Sequence, residues 1–258
     1  MKYIATISGG KDSTAMCDLL LKNGYPVDYI VFNDTLDEFD EMYVYLDKVE
    51  AYFKRRYGKE ITRTKPNWTY DRYIFGERTR GEREGIVRGL PNASDSFCTW
   101  RREAKNNPTD RFITTLNDEV KIYIGFTLDE THRCDRTKNH IYPLIDYFKM
   151  SEADCKKYLI DEDMENPLYK HFNRTGCRKC QYQSDRDLFK LWKHFPSVWE
   201  EFKYYEAEVK KTNCTEGLYW FTNNRTCADM ERLFKKIEKQ GTLFDLSDEP
   251  LKDCFCKI

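Results

Sequence analysis

Six consecutive residues, Ser8, Gly9, Gly10, Lys11, Asp12 and Ser13, carry the clearest chemistry in this 258-residue chain. Adjacent glycines let backbone N–H groups converge on an anion, and a helix starting behind them adds its dipole and free donors. Lys11 can pair with a phosphate as a point charge, and the Ser8 and Ser13 hydroxyls can donate to it. The commoner phosphate loop needs a glycine where Ala5 stands and a Ser or Thr where Asp12 stands, so this is a different phosphate-binding turn. A bare strand-to-helix turn is the alternative, and the Ser, Lys, Asp and Ser around the glycines favour ligand binding over it.

The second group is sulfur. Of 10 cysteines, Cys177 and Cys180 form a C-x-x-C pair whose short loop can bring two thiolates to one ion. Cys98 as a third ligand gives the arrangement of an iron–sulfur cluster with one open iron. Adding Cys254 and Cys256 gives a set that also suits a closed tetrahedral zinc site. Unligated thiols are the third reading, and Cys254 with Cys256 could form a resolving pair. The 4 histidines, His132, His140, His171 and His194, show no ligand-like spacing.

Between residues 54 and 105 basic side chains, among them Arg72, Arg78, Arg83, Arg88, Arg101 and Arg102, alternate with Trp68, Tyr70, Tyr73, Phe75 and Trp100. Such mixing suits single-stranded nucleic acid or a phosphate-rich substrate, although a solvated face balanced by nearby acids explains it slightly better. Residues 76–92 read as a loop able to close over a substrate.

These residues need elements to hold them. YIATI (3–7) and DYIVF (28–32) read as buried strands. Between them Ala15, Met16, Leu19 and Leu20 share a helical face that Gly24 can terminate. Two strands joined through a helix imply a parallel, right-handed βαβ unit with ligands at the strand carboxyl ends. Phe39, Met42, Tyr43, Leu46, Val49 and Phe53 predict a second helix, and residues 120–126 a further strand. Asn107 and Pro108 predict a helix start, Ser151 with Asp154 a capping box, and residues 184–211 two amphipathic helices broken near Pro196.

A hydrophobic fraction of 40% supports a buried core, and a net charge of -1 excludes a uniformly basic, phosphate-coating protein. No apolar run approaches the roughly 20 residues of a bilayer span. Absence of a signal-like apolar core and 10 scattered cysteines predict a cytoplasmic protein.

The run SGGKDS resembles the SGGXDS signature of the pyrophosphate-loop ATP pyrophosphatases. Residues 32–42, FNDTLDEFDEM, resemble the D-T-G-x-E-F-x-E segment of the phosphoadenylyl-sulfate (PAPS) reductases and their relatives, with Leu36 in place of glycine. Residues 97–112 resemble their cysteine–lysine–proline stretch through Cys98, Lys105 and Pro108. Residues 123–133 match at Gly125, Glu130 and Arg133, with Thr127 where the family usually has arginine. Residues 143–184 resemble the NPLY and G-C-x-x-C block through Arg174, Gly176, Cys177 and Cys180, with Gln181 replacing a proline. The terminal DCFCKI departs from the E-C-G-[IL]-H ending of true PAPS reductases.

The resemblance implies an α/β, doubly wound, mostly parallel sheet of the adenine nucleotide alpha hydrolase-like (HUP) type over residues 1–183. A helical, cysteine-containing extension over 184–258 would end in the C-x-C tail. It implies an enzyme that cleaves ATP to AMP and pyrophosphate while adenylating an acceptor, for sulfur transfer. Lys11 and Asp12 would be catalytic, Ser8, Gly9, Gly10, Ser13, Asp34, Thr35 and Gly125 nucleotide-binding, and Lys105, Glu130, Arg133 and Arg174 substrate-binding. Asp34 as a turn former is its alternative role, and Glu38 and Glu41 read as helix N-terminal acids.

ATP, Mg2+ and a [4Fe–4S] cluster, preferred over Zn2+, are the implied cofactors. A nucleotide substrate, an RNA or DNA acceptor and a homodimer are the implied partners. The runner-up activity is thiol-dependent sulfonucleotide reduction, followed by a metal-stapled nucleotide-binding module without turnover.

Overall fold

A computed structural model describes residues 1–91, 98–135 and 137–240. Cys254 and Cys256 lie outside the described residues. Strand β1 (Lys2–Thr6) leads through the glycine turn into α1 (Lys11–Lys22), then β2 (Tyr29–Asn33), α2 (Asp40–Tyr57) and β3 (Ile61–Thr64). The helices α3 (Tyr70–Phe75) and α4 (Thr99–Arg101), with a π-helical turn over Arg102–Asn106, precede α5 (Asn107–Leu116) and β4 (Val120–Tyr123). A 3-10 turn (Leu128–Arg133), β5 (His140–Ile141), α6 (Pro143–Asp146), α7 (Glu152–Asp161) and a second 3-10 turn (Pro167–Lys170) follow. Helices α8 (Asp185–His194) and α9 (Pro196–Val209), a third 3-10 turn (Thr222–Asn224) and α10 (Cys227–Gln240) complete the described elements.

All strand pairings are parallel, in the order β3-β2-β1-β4-β5. Because β1 neighbours both β2 and β4, the strand order reverses between β1 and β4. Ligands of open α/β sheets bind at that reversal, beyond the strand carboxyl ends. The chain leaves β1 there through Ser8–Ser13 and leaves β4 there through Gly125.

Covering of both faces explains the continuous apolar strands. Ile4, Val31, Val120, Ile122, Ile124, Phe126, Tyr142 and Ile145 form one buried cluster. Helix α1 buries Ala15, Met16 and Leu20 and ends before Gly24, whose φ of 71° is the left-handed stop expected of it. Helix α2 buries Met42, Tyr45, Leu46, Val49 and Phe53, so its 3–4 spacing was a reliable guide. The pairing of β4 stops at Tyr123 instead of running to residue 126, because the chain turns at Gly125 against the start of α1.

The described residues form two compact units, Met1–Pro66 with Ala104–Gly176, and Asn67–Glu103 with the described residues from Cys177 to Gln240. This differs from the linear division at 183/184. Residues 67–103 leave the sheet unit and fold with the C-terminal helices, a long-range exchange that no local pattern announces.

Aromatic packing organises the second unit. Trp199 stacks on Phe202 at 5.6 Å between ring centroids, and Phe202 meets Trp220 at 4.7 Å. The Trp220 indole donates to the Phe202 carbonyl at 2.9 Å. Residues 76–91 are tied down instead of forming an open flap. Glu77 bridges Val87, and Asn213 accepts from the Val87 amide at 3.0 Å and donates to the Gly85 carbonyl at 2.9 Å. Among the described residues no helix is long and apolar enough to cross a membrane.

Leu36 sits in the turn after β2 at φ 56°, a region where a side chain meets the following carbonyl. Relief of roughly 1–2 kcal/mol of strain exceeds the ~0.5–1 kcal/mol entropic cost of glycine. Leu36→Gly should therefore raise the melting temperature in a thermal scan; an unchanged or lower value would show that Leu36 makes a compensating contact.

Candidate functional site

The glycine turn is held from below and from the side. Gly9 has φ 74°, a conformation that favours glycine, and a Cβ there would lie 2.2 Å from Met42 Sδ, so the methionine would have to shift. Asn166, 1% exposed, donates Nδ2 to the Gly9 carbonyl at 2.8 Å while its Oδ1 accepts from the Leu168 amide at 2.9 Å. Gly10 caps α1 with extended backbone and no side-chain cap. Ser13 Oγ lies 3.0 Å from Ser8 Oγ and accepts from the Ser8 amide at 3.0 Å. Tyr169 Oη accepts from the Lys11 amide at 2.8 Å.

Gly125 faces the same turn. A Cβ on it would stand 2.9 Å from Ser13 Cα and 3.1 Å from Ser13 N, so its part in the site is to let the end of β4 touch the start of α1.

Charge converges at this junction. Oxygens of Asp12, Glu130 and Glu152 lie within 4.8 Å of one another. Lys11 Nζ is 2.6 Å from Glu152 Oε2, 4.0 Å from Asp12 Oδ2 and 5.5 Å from the Tyr169 ring centre. Burial works against the ammonium charge, but Asp12, Tyr169 and Glu152 more than offset it and raise the Lys11 pKa above the usual lysine value. Burial, opposed by Lys11, raises the Tyr169 phenol, which therefore stays a neutral hydrogen-bonding group. Arg133 pairs with Glu130, both side chains largely buried, and its guanidinium stands 4.6 Å over the Phe126 ring.

The three carboxylates are a hard oxygen donor set suited to Mg2+. Three carboxylates that could hold a divalent cation thus stand next to a lysine and the N-terminus of a twelve-residue helix.

The other sequence-derived residues fall in two places. Asp34 Oδ1 accepts from the Leu36 amide and the Tyr43 hydroxyl, each at 2.8 Å, which is the turn-forming role. Thr35 is buried and donates to Glu38 Oε1 at 2.8 Å. Glu38 is not a solvated helix acid: burial raises its pKa, partly countered by buried Lys105 and by Thr35. Lys105 therefore balances Glu38 inside the sheet unit. Glu41 is exposed in the first turn of α2, as expected. Arg174 is half-buried beside Thr175, whose Oγ1 would lie 3.3 Å from a Cβ on Gly10.

Cys98, Cys177 and Cys180 all belong to the second unit, where they are half-buried and in no disulfide among the described residues. The Cys180 amide donates to the Cys177 carbonyl at 3.1 Å, closing the turn between them. Among the described residues they do not form a group of three ligand atoms within 4.8 Å of one another, as the Asp12, Glu130 and Glu152 carboxylates do.

Glu152, Tyr169 and Asn166 were not read as site residues from the sequence. Asn166 and Tyr169 begin and end the NPLY run, and Glu152 follows the Ser151 cap, so the signals were present but had no partner in sequence.

A parallel α/β sheet with an anion-directed glycine turn at its topological switch point defines the general class. The chain belongs to the phosphoadenosine phosphosulfate reductase domain family, whose model matches residues 2–183. It is also similar to the uncharacterized protein MJ0066 of Methanocaldococcus jannaschii, with 29% identity over 228 residues covering 83% of this chain. The chain spans 43% of that relative's length. Among solved structures it is similar to a PAPS reductase from Candida auris in a phosphate complex, with 18% identity and a TM-score of 0.47, over 69% of this chain and 81% of that one.

Asn166→Ala leaves the buried Gly9 carbonyl without its donor and should cost about 1–3 kcal/mol of unfolding free energy. Denaturant titration checks this, and an unchanged midpoint would remove Asn166 from the support of the loop. Glu152→Gln removes one of the groups that raise the Lys11 pKa. Lys11 should then acylate faster with an amine reagent at mildly alkaline pH, as mass spectrometry of the modified peptide would show.

Proposed function

We propose that the protein binds Mg-ATP at the Ser8–Ser13 turn and cleaves it between the α- and β-phosphates, adenylating an acceptor for sulfur transfer. The observation that carries this reading is Lys11 beside the Asp12, Glu130 and Glu152 carboxylates at the β1/β4 reversal. An acceptor oxygen attacks the α-phosphorus, the bond from that phosphorus to the α–β bridging oxygen breaks, and pyrophosphate leaves with the electron pair. The acceptor oxygen becomes part of an adenylate, and any proton it carried passes to solvent.

Lys11 and the turn amides hold the leaving pyrophosphate. As phosphate oxygens draw the ammonium away from Glu152, that carboxylate becomes free to complete the metal set. Asp12, Glu130 and Glu152 would hold Mg2+, which would supply charge neutralisation on the phosphates. Tyr169 yields the Lys11 amide to an incoming oxygen, and Arg133 keeps Glu130 oriented.

Cys98, Cys177 and Cys180 are proposed to hold a [4Fe–4S] cluster in preference to zinc; soft thiolate donors suit either. The three thiolates would hold the cluster, which would supply sulfur-binding chemistry. About four irons with matching sulfide per chain after anaerobic purification would support it, whereas one zinc and no iron would make the cysteines a structural clip.

Incubation with ATP, Mg2+ and a cell-derived acceptor fraction should release AMP and pyrophosphate in equal amounts. Lys11→Ala should slow release by about a hundredfold or more. Release of ADP and inorganic phosphate, or thioredoxin-dependent sulfite from PAPS without ATP cleavage, would overturn the reading.

A further inference from the structure

The second unit contains a cavity of 310 Å³ with Tyr73, Arg78, Arg83, Arg88, Thr99 and Arg102 in its lining. Two acids, Glu103 and Glu216, also line it, so four guanidiniums face two carboxylates. Arg83 pairs with Glu216, and Arg102 Nε lies 3.6 Å from Glu103. Arg78 and Arg88 have no carboxylate partner among the described residues. Arg78 Nε is buried and meets no hydrogen-bond acceptor there, although buried polar groups nearly always have one.

The cavity is a built feature. Arg88 lies 4.8 Å over the Trp68 ring and 5.8 Å over the Tyr73 ring, which fixes the direction of its fork. Tyr73, 5% exposed, shares a hydrogen bond with Thr99. The opposite wall is closed by the Leu90 amide donating to the Gly217 carbonyl at 2.8 Å. Gly217 has φ 77°, and a Cβ on it would stand 2.5 Å from the Leu90 carbonyl oxygen, so two backbone segments touch with no room for a side chain.

Guanidinium groups bring only donors, so a ligand must present several acceptors. A carboxylate matches one fork; a tetrahedral phosphate offers oxygens to several. The volume is at the lower end of the roughly 300–1,000 Å³ typical of small-molecule sites, the size of a nucleotide unit.

We propose that this cavity is a phosphate-ester site, with Arg78, Arg88 and Arg102 binding the phosphate oxygens and Tyr73 forming the floor. The ester is carried either by a small phosphorylated molecule or by one nucleotide of a single strand. The proposal does not rest on the glycine-turn reading, so the test uses full-length protein carrying Lys11→Ala, in which binding at that turn is weakened.

AMP is titrated calorimetrically, and a dye-labelled short single-stranded oligonucleotide by fluorescence anisotropy. At least one probe should bind, and Arg78→Ala and Arg102→Ala should each weaken it about tenfold. Arg232→Ala, which removes an exposed arginine of α10, should leave it unchanged. AMP binding identifies a small ligand as the source. Binding of the oligonucleotide alone identifies a strand, and its salt slope should then fall by about 0.7 for each arginine removed.

Failure of both probes overturns the proposal, as does equal weakening by Arg232→Ala. Arg102 is 62% exposed, so its variant keeps the test valid if Arg78→Ala does not fold. Absence of pyrophosphate release by the protein with Lys11 intact, with these arginine effects still seen, would count against the ATP reading alone.

Discussion

Three carboxylates within 4.8 Å repel one another, and the sheet unit tolerates them because Lys11 and Arg133 stand between and beside them. The two cations come from different places: Lys11 from the first turn of α1, Arg133 from the 3-10 turn after β4. Their acids are equally scattered, with Asp12 on α1, Glu130 on that 3-10 turn and Glu152 on the first turn of α7. The charge balance therefore holds only when β1, β4 and α7 meet at one corner. Removing Arg133 would leave the buried Glu130 carboxylate without that countercharge.

Two contacts allow that meeting. Gly125 lets the end of β4 reach the Ser13 backbone, and Asn166 anchors the Gly9 carbonyl from the second 3-10 turn. The Ser151 and Asp154 capping box starts α7 so that Glu152 is its first residue, 2.6 Å from Lys11. A local helix-capping device thus sets the position of a charged group in the site. Strand order sets the same corner at the reversal between β1 and β4, where ligands of open α/β sheets bind.

Legibility of the sequence followed the range of the interactions. The glycine turn, the βαβ start, the Gly24 stop, the capping box and the break at Pro196 are encoded by neighbouring residues, and all were readable. Glu152 was not, because its partner Lys11 is 141 positions away. The exchange of residues 67–103 into the second unit was invisible for the same reason. Asp34 was readable as an acid at a strand end, but only the backbone shows its oxygen turned to Leu36 and Tyr43. Glu38 looked like a solvated helix acid because sequence spacing does not reveal that Thr35 and Lys105 enclose it.

The central claim is that Asp12, Glu130 and Glu152 hold a divalent cation together with the nucleotide phosphates. Mn2+ in place of Mg2+ makes the position visible by electron paramagnetic resonance. Binding should be weak with the metal alone, because Lys11 competes for Glu152, and about tenfold or more tighter when a non-hydrolysable ATP analogue is added. Asp12→Asn should abolish that gain while the melting temperature stays within a few degrees. Mn2+ affinity that is indifferent to the nucleotide, or unchanged in Asp12→Asn, would contradict the account.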